Sequence, residues 1–68
     1  MAYDRQLMID AMFKHAEGHI EKHKTNVEVY LNQSVGIGEH SDIVESIEKE
    51  LAMIAQYDDE IEVLNKYF

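Results

Sequence analysis

At 68 residues, the chain is at most one domain, residues 1–68, and a chain this short buries only about 60% of its unfolded surface, so a partner is the expected staple. It has no cysteine, which removes disulfides and thiolate metal sites together. Fourteen acids against six bases give a net charge of −8, which speaks against direct nucleic-acid binding and against adsorption on anionic membrane.

No apolar run approaches the roughly 20 residues that span a bilayer, and "MAYDRQLMID" shows no basic region followed by an apolar stretch. The expectation is a soluble, cytoplasmic protein. Hydrophobic content of 46% without a single proline is too high for a disordered acidic tail, so the chain should fold.

The first segment places Ile9, Phe13, Ala16, Ile20, His23, Val27 and Tyr30 at alternating steps of four and three, the spacing of a helix seam. This predicts helix one over about 3–33. A competing reading takes "VEVYL" as a strand, and Thr25 with Glu28 has capping-box spacing that would break the helix near 24–26. Gly18 costs about 1 kcal/mol against alanine inside a helix. Beside the seam, Met8, Met12, His15, His19, Asn26 and Tyr30 form a shoulder wider than one partner helix requires. Of these, Met8, Met12, His19, Asn26 and Tyr30 are assigned to a dimer interface.

The linker over 34–41 contains "SVGIGEH", where Gly36 suits a left-handed helix end backed by Ile37. A phosphate loop does not fit, because no lysine follows and Glu39 would repel the anion. His40 beside Glu39 and Ser41 lacks an orienting carboxylate or an oxyanion site.

Helix two is expected over about 42–66, capped by Ser41 or Asp42, with Glu45 completing a capping box. Its stripe reads Ile43, Ile47, Leu51, Ile54, Tyr57, Ile61, Leu64 and Phe68. A short link implies an antiparallel hairpin, and a hairpin leaves one side of its seam open to water. The fold class is therefore all-α, a two-helix hairpin, with dimerisation into a four-helix bundle as the simplest way to cover both stripes. Antiparallel pairing would set residues 14–24, with Lys14, Lys22, Lys24 and the histidines, near residues 51–61, with Asp58, Asp59 and Glu60.

"HAEGHIEKH" carries the sharpest chemistry. Imidazoles four residues apart can chelate zinc, nickel or copper, which makes His15, His19 and His23 candidate metal ligands, with Glu17, Glu21 or a partner chain's acid completing the shell. Helical rotation fans the three over about 80°, so neighbouring pairs share an ion more easily than all three. Neither Glu-x-x-His nor His-Glu-x-x-His occurs, no cofactor is implied, and a polar interface is the plainer explanation. A pH response of the same histidines is a milder variant. Asp58, Asp59 and Glu60 point to different helix faces and read as solvated. The methionines, and Tyr57, Tyr67 and Phe68, read as core, interface and end packing.

The stretch "VYLNQSVGIGEHSDIVESIEKEL", followed by "VLNKYF", resembles short uncharacterised helical-hairpin proteins of tailed phages infecting marine cyanobacteria and related bacteria. The resemblance covers roughly residues 27–68 and leaves out the histidine-rich first half. It implies a phage setting in a bacterial host cytoplasm and carries no activity or site to transfer.

Together these features predict a small, acidic, non-enzymatic interaction or accessory protein that homodimerises and has a further protein partner. Two alternatives come from other classes. One is a metal-binding helical module built on the histidine strip. The other is an acidic decoy for a basic host protein, motivated by nine acids against two bases in residues 35–68, compared with five against four in residues 1–34.

Overall fold

A computed structural model of the chain describes residues 4–32 and 42–68. Two helices, α1 (Arg5–Leu31) and α2 (Ile43–Tyr67), account for nearly all of them, and no strand occurs among the described residues. The expectations at Gly36, Ile37, Glu39, His40 and Ser41 lie outside the described residues.

Each helix starts on an aspartate. The Asp4 carboxylate accepts from the backbone N–H groups of Gln6 (2.9 Å) and Leu7 (3.4 Å), and Asp42 accepts from Glu45 N–H at 2.8 Å. Both caps satisfy amides that a first helical turn leaves without partners. Lys66 in the last turn of α2 complements the helix dipole. At the end of α1, Asn32 donates its side-chain amide to the Glu28 carbonyl at 2.7 Å.

The two readings that would have interrupted α1 fail. "VEVYL", residues 27–31, is the last part of a continuous helix, since side chains on the i, i+3 and i+4 spacing find α2 whereas a lone strand would have no partner. Thr25 starts no new helix, because its hydroxyl donates back to the Glu21 carbonyl at 2.9 Å, a bond that a mid-helix threonine makes without leaving the ladder. Gly18 is passed without a break, and a Cβ added there would meet nothing within 4 Å.

The helices run antiparallel. Arg5 donates to the Phe68 carbonyl oxygen at 3.2 Å, and His23 meets Glu50 on the neighbouring helix. The α1 seam holds as a unit, with Ile9, Ala16 and His23 buried and Phe13, Ile20, Val27 and Tyr30 half-buried.

On α2 the expected stripe needs correcting. Leu51 is 50% exposed and Phe68 68% exposed, while Glu50 is half-buried. The observed seam is Ile43, Ile47, Glu50, Ile54, Tyr57, Ile61 and Leu64, a strict alternation of four and three, and a one-residue step rotates a helical side chain by about 100° away from the partner. The expected nearness of residues 14–24 to 51–61 is observed through the histidines, His19 lying 4.4 Å from Tyr57 between ring centroids, but without ion pairs from Lys14, Lys22 or Lys24 to the acids there. The ion pairs among the described residues are His23–Glu50 and the exposed Lys24–Glu21 within α1, and neither reaches Asp58, Asp59 or Glu60.

What the hairpin buries by itself is small. Ile9 and Ala16 are the only buried hydrophobic residues described, and α2 has none. The accessible surface is 5415 Å², whereas a compact protein of this mass exposes about 4400 Å².

Candidate functional site: a polar lock and an open apolar groove

Near the linker-proximal part of the seam, a hydrogen-bonded group replaces apolar contacts. Glu50 Oε1 lies 2.6 Å from His23 Nδ1 and accepts from Asn26 Nδ2 at 2.9 Å. His23 is 8% exposed, so its Nδ1 proton is committed to this carboxylate. The carboxyl of Glu50 is held below its ordinary value, first by the hydrogen bond from His23, then by that from Asn26. Burial opposes them, while the charges of His23 and Lys22 add to the lowering. A half-buried carboxylate is tolerated here because two donors from the facing helix answer it.

One turn further along, the rings of α1 gather on Tyr57. His19 lies flat against the phenol, with centroids 4.4 Å apart and planes 10° from parallel. His15 tilts against His19 at 4.5 Å, and His23 is 6.4 Å from Tyr57 on the other side. His15 is exposed, His19 half-buried and His23 buried, so the strip spans three environments. Nδ1 of His19 is shielded from solvent and has no hydrogen-bond partner. The imidazole of His19 is held below the ordinary histidine value, chiefly by burial and then by the charges of His15, Lys22 and His23, against the pull of Glu60.

The expected metal trio is not assembled within one chain. Among the described residues no group of three or more His, Asp or Glu side chains is arranged to hold a metal ion. The reason is the lock: His23 turns its Nδ1 to Glu50, while His15 and His19 remain together on the open side.

The expected interface residues also divide. Asn26 is engaged by Glu50 of its own chain, Tyr30 is half-buried, and His19 is stacked on Tyr57. Met8 and Met12 stay 50% and 49% exposed. They border an open groove between the helices toward the Arg5–Phe68 end. One stretch, about 380 Å³, is lined by Arg5, Met8, Ile9, Met12, Leu64 and Phe68. It continues, sharing Met12 and Leu64, into a stretch of about 430 Å³ that reaches Ala11, Val63, His15, Asp59 and Glu60.

Glu50 and the platform role of Tyr57 escape a reading based on apolar residues alone. The available signal was the strict four-three alternation, which selects residue 50 over residue 51 and sets it opposite His23. No protein-family model, no curated protein and no solved structure matches the chain, and the resemblance of residues 27–68 to phage hairpin proteins finds no support there. Fold and site alone define the class, a two-helix hairpin with a polar lock in its seam and an uncovered apolar groove beside it.

Proposed function

We propose that the chain is a small acidic interaction protein, without catalysis of its own, that works as a homodimer in which two hairpins close into a four-helix bundle. The observation that carries this reading is the uncovered groove: Met8, Met12, Val63 and Phe68 are 42–68% exposed, and only two hydrophobic residues are buried among the described residues. Glu60 and Asp59 at the groove's inner end and Arg5 at its outer end form a polar rim of the kind that surrounds an apolar interface centre. His23 and Asn26 are engaged internally, both on Glu50.

Light scattering coupled to gel filtration tests the proposal. At tens of micromolar the mass should be twice the 7.9 kDa of one chain, and a folded, helical monomer there would refute it.

A further inference from the structure

We propose that two copies of this chain together form a binding site for a borderline divalent transition-metal ion such as zinc, with His15 and His19 of each copy as its four ligands. The inference rests on the dimer reading above and adds a ligand to it. Three features of the structure carry it.

First, His15 and His19 are an i, i+4 pair with ring centroids 4.5 Å apart, close enough for one ion to bridge neighbouring turns. Neither ring makes a hydrogen bond among the described residues, whereas His23 is engaged by Glu50. His19 is also fixed in orientation by its stack on Tyr57, with Nδ1 shielded and unpartnered. Its Nε2 is thereby the nitrogen left for an outside partner.

Second, the pair lies at the middle of the rod. Helix α1 spans Arg5–Leu31, so its midpoint is residue 18. A two-fold axis across fully overlapping hairpins maps midpoint onto midpoint, and an axis along the rods maps every level onto itself. Either symmetry brings His15 and His19 to the level of the same pair in the second copy. Lys14 and Lys22 flank the pair at the same level and line its shallow pocket with Gly18.

Third, one chain supplies two ligands where a closed tetrahedral site needs four, and two copies supply them all. Imidazole without thiolate suits zinc, nickel or copper and does not suit calcium or magnesium. Glu60 borders the groove with His15, where a carboxylate can accept a hydrogen bond from a ligating ring and hold its orientation.

The test is calorimetric titration of the full chain with zinc chloride, with mass measured in parallel in chelator and in zinc. The expected result is half an equivalent of zinc per chain at micromolar affinity or tighter, a dimer under both conditions, and at least tenfold tighter dimerisation with zinc. His15→Ala, at an exposed position that leaves the seam intact, should abolish the half equivalent while far-UV circular dichroism is unchanged. His40→Ala should leave binding as it was.

Binding of one zinc per monomer, retention of binding in His15→Ala, or no heat at 100 μM zinc would each overturn the site. A dimer without zinc binding leaves the dimer reading standing and removes the metal. A monomer in chelator that dimerises on adding zinc supports the site and refutes the metal-free dimer.

Discussion

Replacing Gly18 by alanine should stabilise the protein, and the size of the gain follows from where the residue sits. Gly18 is in the interior of a 27-residue helix, so the full propensity difference applies, about 0.8–1.0 kcal/mol. Nothing offsets it, because the new Cβ meets no atom within 4 Å. For a chain of this size the gain corresponds to a rise in melting temperature of about 4–8 °C. Thermal unfolding followed by circular dichroism measures it, repeated at several protein concentrations because dimer stability depends on concentration.

Ala16→Gly is the matching control. Ala16 is 0% exposed, so the change forfeits the propensity together with a buried methyl, about 2 kcal/mol in all, and melting should fall by about 8–16 °C. An unchanged or lowered melting temperature in Gly18→Ala would refute the reasoning. It would mean that a second chain packs closely on Gly18, which lines a shallow pocket with His15 and His19.

Met12→Glu puts a charge into the groove and should shift the dimer to monomer at micromolar concentration without loss of helix in either chain; an unaltered mass in sedimentation would show that the groove is not the contact. His23→Leu and Glu50→Leu should each lower the melting temperature by leaving donors or an acceptor unanswered, while the double variant recovers most of the loss; additive losses in the double-mutant cycle would mean that the two residues are uncoupled. Because Glu50 is held below its ordinary value of 4.5, its contribution is complete above that pH and is lost as pH falls through the lowered value. The melting difference between wild type and Glu50→Gln should therefore shrink as pH falls below 4.5, and a constant difference would count against the lock. His19 is likewise held below 6.5, so the unfolded chain takes up its proton first and stability should decline as pH drops below 6.5; His19→Gln should flatten that decline, and equal slopes in the two proteins would contradict it.

Helix existence and type were legible because they depend on local pattern. Ile9, Phe13, Ala16, Ile20, His23, Val27 and Tyr30 share one face at helical periodicity whatever they pack against, and Asp42 caps α2 through atoms three residues away. The break suggested at Thr25 was a local competition that the sequence could not decide. The hydroxyl can either start a helix or bond back to Glu21, and a continuous α1 stacked along α2 favours the second.

The site was legible in part. Three histidines on one strip could be seen in "HAEGHIEKH", and so could the apolar shoulder with Met8 and Met12. Their partners could not, because Glu50 and Tyr57 lie 27 or more residues away and act through the facing helix.

By itself the sequence determined an acidic, cysteine-free pair of amphipathic helices, since composition, caps and periodicity are properties of neighbouring residues. Only the tertiary structure decided that α2 turns Glu50 inward in place of Leu51, that this carboxylate takes His23 out of the histidine set, and that His15 and His19 are left together on the open face. The physical reason is register. Once the antiparallel helices interlock, a one-residue step along α2 is a rotation of about 100°, and that rotation selects which side chains meet across the seam.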